Sequence, residues 1–390
     1  MTVSGGWRRQ AAAGAVLCAL AVLRWHTALF DLRLAVDEVD YTRAFAAVDA
    51  GGDPYEVERF LYPPPFALAG AAAERAFGER SVVLFLRAAN LLGAIAVVWI
   101  SLGWSRCSWR ARVLLGSLLV AVWAPIHQSV AYGNISLAVL GATFVGLGLL
   151  EARPLTAGAT LGLGLAMKPL APASVALLPF WRPASGTRPA AKWIAFAAAA
   201  STLGVALLWG GALLPRMLDR TATRLPEARS LSLGRLLQCA GLDLPPLLLL
   251  VLAVAAGAWL LQLRARPVAG FAVLATTAAL YASPLVWTHT LALSLPAQVI
   301  AFERLTGAWR RAPAGSPDRR RHGLVLMALG ACALAIQGSE ALAAIDGGPP
   351  LAQALFIAPV VLSPALFAFV ALRRGADEPG SFGLAATVGQ

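Results

Sequence analysis

Apolar runs of about twenty residues recur from one end of this chain to the other, with short polar segments between them. A run of that length, wound as a helix, crosses the hydrocarbon of a bilayer. Inside lipid only such a helix satisfies its own backbone polar groups without a closed barrel. The pattern therefore restricts the chain to an all-α polytopic membrane protein. Composition agrees, since 58% of the 390 residues are hydrophobic and only 13% are charged, against about a quarter charged in a soluble domain.

The net charge of +12 could serve nucleic acid, but the basic residues stand in short segments between apolar runs. That placement is the topological bias of a membrane protein, and no nucleic-acid partner is expected. Cys18, Cys107, Cys239 and Cys332 are isolated from one another. They imply neither a disulfide framework nor a zinc site.

Candidate spans cover 11–30, 81–103, 112–130, 135–150, 154–168, 169–181, 192–213, 244–263, 267–285, 289–303, 322–342 and 351–372. Those at 154–168 and 169–181 are short and share a Lys-Pro break, so they read as a bent pair. Arg8 and Arg9 before an apolar run resemble a signal peptide. No small-residue cleavage site precedes Arg24-Trp25-His26, so the segment is expected as an uncleaved first helix.

Placing Arg8 and Arg9 in the cytoplasm makes every second connection basic. Those connections carry Arg106, Arg110 and Arg112; Glu151 and Arg153; Arg182, Arg188 and Lys192; and Arg264 and Arg266. The last holds Arg304, Arg310, Arg311, Arg319, Arg320 and Arg321, and Arg373 and Arg374 also fall inside. The alternation predicts about twelve transmembrane helices in one domain, 1–374, with both termini cytoplasmic. The tail 375–390 is expected to be disordered.

The opposite face then collects the polar oddities. It holds an acidic loop at 31–80, a mixed loop at 214–243, His127-Gln128, Gly133-Asn134, Lys168 and Trp287-Thr288-His289. Ionisable groups beside membrane helices suggest function, because burying them in lipid costs several kcal/mol. A transporter is expected to place such groups near the midplane, between repeats. Here they gather at one end and no internal repeat is found, which favours an interfacial enzyme. A lipid-linked sugar flippase or transporter, and a noncatalytic subunit of an envelope-assembly complex, are the alternatives.

The 31–80 loop reads as ordered. Tyr41, Ala44, Phe45 and Val48 lie on one face of an amphipathic helix over 40–50. Gly51-Gly52 stops it, Asp53-Pro54 turns the chain, and Tyr62-Pro63-Pro64-Pro65 stiffly enters an apolar segment, 66–77, too short to span.

These residues carry a family resemblance. Asp37, Tyr41, Gly51-Gly52-Asp53-Pro54-Tyr55, Tyr62-Pro63-Pro64-Pro65, Lys168-Pro169 and Ser283-Pro284-Leu285-Val286-Trp287-Thr288-His289 fall in order at matching spacing. Over roughly 30–305 the chain resembles glycosyltransferase family 87, within the C-type superfamily of polytopic, lipid-donor glycosyltransferases. That family includes mannosyltransferases acting on phosphatidylinositol mannosides and lipomannan. Gly133-Asn134-Ile135-Ser136 stands where the family commonly reads Gly-Gln-x-Asn, and Ser230-Leu231-Ser232-Leu233 resembles a looser motif that has lost its asparagine.

The resemblance implies a C-type glycosyltransferase fold and transfer of a hexose, with mannose expected, from a polyprenyl phosphate to a glycolipid or lipoglycan. Transfer would occur with inversion on the extracytoplasmic face of the plasma membrane. Asp37 falls on the general base; the bland reading is a helix cap. Asp40 stands as second-choice base. His289 and Lys168 would hold the donor phosphate, with Arg87 and Arg24 weaker candidates; an interfacial histidine and snorkelling cations are the bland readings. Tyr41, Asp40, Tyr62, Asn134 and Trp287 would line the sugar sites, although aromatics also populate membrane interfaces. No cofactor is expected, and metal independence is an expectation because Asp37-Glu38-Val39-Asp40 has carboxylates enough for a cation.

Overall fold

The computed structural model describes residues 4–31, 33–184, 188–223, 230–242, 244–263, 265–283, 286, 288–339 and 350–372. Among them the chain is helical, with one isolated bridge between Pro183 and Arg266 and no β-strand. The first helices are α1 (Ser4–Phe30), α2 (Val36–Asp49), α3 (Pro64–Phe77), α4 (Glu79–Gly103), α5 (Trp109–Val122) and α6 (Ala124–Tyr132). Next come α7 (Ser136–Leu149), α8 (Pro154–Met167), α9 (Pro172–Ala176), α10 (Ala190–Trp209), α11 (Leu214–Thr223) and α12 (Leu233–Cys239). The last are α13 (Pro246–Leu263), α14 (Val268–Ala282), α15 (Leu295–Arg311), α16 (Pro317–Gln337) and α17 (Pro350–Leu372). The tail 375–390 lies outside the described residues.

Among the described residues, three helical stretches are long and apolar enough to cross a membrane: Glu79–Gly103, Ala190–Trp209 and Gln353–Leu372. The bent pair α5–α6 makes a fourth if taken as one span. Others are apolar but shorter; α7 and α8 have 14 residues each. At a rise of about 1.5 Å per residue such a helix measures about 21 Å, against a hydrocarbon core of about 30 Å.

Proline explains where the apolar runs break. The run 112–130 bends by 46° between α5 and α6, because Pro125 in the first turn of α6 has no N–H to continue the ladder. The Gln337 side chain fills that break. Its Oε1 accepts from Ala124 N at 2.9 Å and its Nε2 donates to the Val122 carbonyl at 2.7 Å. The stretch 169–181, expected as half of a bent pair, carries Pro169, Pro172 and Pro179. It forms only the one-turn α9 and a 3-10 turn, Leu178–Phe180.

Small residues set the close helix contacts, as in lipid-embedded bundles. Gly93 of α4 packs on the Leu137 backbone of α7, and Gly158 and Gly162 of α8 pack on the Ala195 and Ala199 carbonyls of α10. The α7–α8 hairpin therefore sits tightly between α4 and α10. Its free end carries Asn134 and Ser136 at the start of α7 and Lys168 just past the end of α8.

The first loop folds over that end. α2 begins at Val36, four residues before the amphipathic stretch seen in sequence, and buries Tyr41, Ala44 and Phe45. Gly51, at φ +75°, ends it, and Asp53 accepts from Tyr55 N at 3.0 Å to cap a 3-10 turn, Pro54–Glu56. Tyr41, Phe45, Phe60, Tyr62 and Phe66 form one aromatic cluster, with Tyr41 edge-on to Tyr62 and Phe66 at centroid distances of 5.0 and 5.3 Å. Such pairs contribute about 0.5–1.5 kcal/mol each beyond the area they bury.

Candidate active site

Five of the residues singled out in sequence meet at this end of the hairpin. Asp37 lies in the first turn of α2, but the cap role belongs to other atoms. The Ala35 N–H donates to Glu38 Oε2 at 2.7 Å, and the Asp37 carboxylate instead accepts from Asn134 Nδ2 in a short hydrogen bond. Asn134 reaches Asp37 because Gly133 adopts a left-handed conformation, φ +69°, between α6 and α7. Its backbone is fixed by Ser129, which accepts from Asn134 N and donates to its carbonyl at 2.9 and 2.7 Å.

Behind Asn134 stands Lys168. Pro169 blocks continuation of α8, so Lys168 takes an extended conformation. Its Nζ donates to Ser136 Oγ at 2.8 Å, Asn134 Oδ1 at 3.0 Å and Tyr62 Oη at 3.1 Å. An ammonium has three N–H donors, and all are used. Tyr62 Oη in turn meets Tyr41 Oη at 2.6 Å and accepts from Asn134 Nδ2 at 3.4 Å. A polar chain thus runs from carboxylate through amide to ammonium, with a tyrosine pair against it.

Burial governs the titration of the groups on the loop. It raises the Asp37 pKa above the ordinary 3.8, and the Asp40 charge one turn along α2 adds to the rise. The Lys168 charge, the Asn134 hydrogen bond and Arg59 pull the other way. The Tyr41 and Tyr62 hydroxyls are held well above 10 by burial, so both stay neutral donors. Among the described residues no group of three His, Cys, Asp or Glu side chains is placed to hold a metal ion.

Asp40 lies one turn along α2 from Asp37, whereas His289, Arg87 and Arg24 take partners outside the cluster. His289 is the second residue of a 3-10 turn (Thr288–Ser294) packed on α6, where its backbone N–H donates to Gln128 Oε1 at 3.0 Å. The ring is 6% exposed, and its Nε2 has no hydrogen-bond partner among the described residues. Arg87, expected to hold donor phosphate, turns away from the cluster to Glu38 and three backbone carbonyls. Arg24 lies over the Trp25 ring at 4.2 Å and donates to the Ala121 carbonyl. Trp287 lies outside the described residues.

Two side chains in the assembly were not marked in sequence. Ser136 binds both Asn134 and Lys168; its place two residues after Asn134, at the first position of α7, was the available signal. Glu38 was visible as one of several carboxylates, with nothing to single it out. The Ser230-Leu231-Ser232 motif is a clasp: Leu231 N donates to the Val286 carbonyl at 2.7 Å, Val286 N donates to Ser230 Oγ, and Ser232 caps α12.

Comparison with known families decides what this assembly belongs to. The model of glycosyltransferase family 87 matches residues 60–286, more than half of the chain. The chain belongs to glycosyltransferase family 87. It is a membrane protein and a glycosyltransferase, working on a sugar donor and an acceptor. Tyr62, Arg87, Asn134 and Lys168 lie within the matched stretch, while Asp37, Asp40, Tyr41, Trp287 and His289 lie outside it. Comparisons of this glycosyltransferase with curated proteins and with solved structures give no match.

Proposed function

We propose that this glycosyltransferase moves mannose from a polyprenyl-phosphate carrier to a glycolipid or lipoglycan on the extracytoplasmic face, with inversion. The observation that carries the reading is the Asp37–Asn134–Lys168 chain, in which a half-buried carboxylate and a half-buried cation share one amide. In the proposed reaction Asp37 takes the proton from the attacking acceptor hydroxyl. That oxygen bonds to the anomeric carbon as the carbon–phosphate oxygen bond breaks, and the polyprenyl phosphate leaves with the electron pair. A β-linked donor then yields an α-linked product.

Each side chain has a physical part in this scheme. A carboxylate whose pKa is raised by burial is a stronger base than one in water, and general-base catalysis typically contributes about 10²–10⁴-fold. Asn134 holds one carboxylate oxygen and leaves the other for the proton. Lys168, exchanging one of its protein hydrogen bonds, and the His289 Nε2, which has no hydrogen-bond partner among the described residues, would meet the negative charge on the leaving phosphate. Tyr41, Tyr62, Asp40 and Trp287 would border the sugars. The basic connections support twelve crossings with both termini cytoplasmic, the shorter apolar helices included.

The test is mannose transfer from polyprenyl-phosphate mannose to a crude membrane glycolipid extract, comparing wild type with Asp37→Asn. Transfer by wild type alone is expected. Equal transfer by both removes Asp37 from the role of base, and transfer by neither means that the donor sugar or the acceptor is wrong, or that the transporter reading takes over.

A further inference from the structure

We infer that Glu38 and Arg87 form a positioning clamp that sets the register of Asp37 against Asn134, and that Arg87 is not a phosphate ligand. The inference rests on the reading of Asp37 as base. The Arg87 guanidinium meets Glu38 side-on, with Nε to Oε1 and an Nη to Oε2 both at 2.7 Å. Its remaining N–H groups donate to the carbonyls of Leu29, Asp31 and Arg33 at 3.3, 2.6 and 2.8 Å. A guanidinium has five N–H donors, and here they serve five acceptors. The side chains are 9% and 1% exposed, so the ion pair is out of water, where removing one partner leaves an uncompensated buried charge. An arginine engaged in this way has nothing left for a phosphate.

What the clamp holds follows from the neighbours in sequence. Glu38 and Asp37 are consecutive on α2; Gly133 and Asn134 are consecutive at the α6–α7 corner. Asp37 meets Asn134, and Glu38 lies against Gly133. A Cβ added at Gly133 would stand 2.6 Å from Glu38 Cγ and 2.9 Å from the Ala35 Cβ. Two adjacent residues thus face two adjacent residues, and Arg87 on α4 fixes one of the pair. Of the three carbonyls bound by Arg87, that of Leu29 lies in the last turn of α1 and those of Asp31 and Arg33 lie in the strap between α1 and α2, so the same guanidinium also ties down the entry to the catalytic turn. Fixing Glu38 in rotation and along the helix axis fixes the Asp37 carboxylate.

The experiment uses the purified full chain in detergent, with Glu38→Gln, Arg87→Lys, their double variant and Gly133→Ala. Glu38→Gln keeps the size of the side chain and removes its charge, so it tests the clamp even if Arg87→Lys fails to fold, while Gly133→Ala crowds Glu38 and also strains the left-handed turn that presents Asn134. Three quantities are read: kcat and donor KM for mannose transfer, binding of polyprenyl phosphate alone, and the pH profile of kcat. The clamp predicts kcat lowered about 10- to 100-fold, the scale of a misplacement near 1 Å. Donor KM and polyprenyl-phosphate binding should stay within about twofold, as for an interaction felt in the transition state alone. The acid limb should move to higher pH, because a shifted Asp37 loses the Asn134 hydrogen bond that lowers its pKa. The double variant should be no worse than the worse single one.

Tenfold weaker polyprenyl-phosphate binding with kcat retained would make Arg87 a phosphate ligand and overturn the clamp. A lower melting temperature with unchanged kcat, KM and pH profile would reduce the pair to a structural bond. Asp37→Asn is run beside them. Wild-type transfer by that variant sinks the base and the clamp together, whereas normal kinetics in the clamp variants beside an inactive Asp37→Asn sink the clamp alone.

Discussion

The two long loops, 31–80 and 214–243, touch one another yet are held by different kinds of bond. The first, from Asp31 to Phe77, is anchored by buried polar contacts: Glu38–Arg87, Asp37–Asn134 and the tyrosine pair over Lys168. The second, around α11 and α12, meets it through Arg216 and Asp53, 2.8 Å apart, with the arginine side chain 59% exposed. Water competes for that pair and salt screens it. Bonds withdrawn from water carry large penalties when broken and hold geometry; bonds in water can be exchanged at small cost. The first kind of support suits the proposed chemistry, which needs fixed geometry, and the second tolerates rearrangement.

The sharpest way to break this contrast is Asp37→Asn, which removes the proposed base and is expected to lower transfer by about 10²–10⁴-fold without unfolding the protein. Transfer rate and elution volume together check it. Lys168→Met comes next. It strips Ser136, Asn134 and Tyr62 of a charged donor, and such hydrogen bonds are worth about 1.5–3 kcal/mol, or a loss of roughly ten- to hundredfold in transfer.

The pH profile sharpens the comparison further. Burial favours the neutral acid form of Asp37, so the base appears only above its raised pKa and transfer should climb through an acid limb lying above pH 3.8. Lys168→Met and Asn134→Ala each remove an influence that lowers this pKa. Both should push the limb to still higher pH.

Smaller effects are expected as exposure grows. Tyr62→Phe deletes one hydroxyl bonded to Tyr41 and Lys168 and should cost about 1 kcal/mol of stability, measured by thermal unfolding. Arg216→Ala should change stability by less than about 1 kcal/mol and leave transfer near wild type. A large loss there would end the distinction between the two loops.

Much of this arrangement was legible before folding. The apolar runs announced a helical membrane chain, and the alternation at Tyr41, Phe45 and Val48 marked a helix whose face is buried at Tyr41 and Phe45. Lys168-Pro169 announced a break that does end α8. Other readings needed the third dimension. The helix carrying Asp37 starts at Val36 because Glu38, and not a side chain at a cap position, satisfies the Ala35 N–H. The apolar run at 169–181 looked like a span by composition, while its prolines leave one helical turn.

Sequence by itself determined the class of solvent, the helical architecture and the residues able to do acid–base work, because hydrophobicity, periodicity and proline act locally. Pairing was decided by tertiary structure alone. Asp37 and Glu38 are adjacent carboxylates with the same local signals, yet one faces the Asn134 amide and the other the Arg87 guanidinium. Their partners lie 97 and 49 positions away along the chain. Only the packing of α2 across α4 and the α6–α7 corner brings each partner within reach, and burial there gives one carboxylate a raised pKa and the other an ion pair.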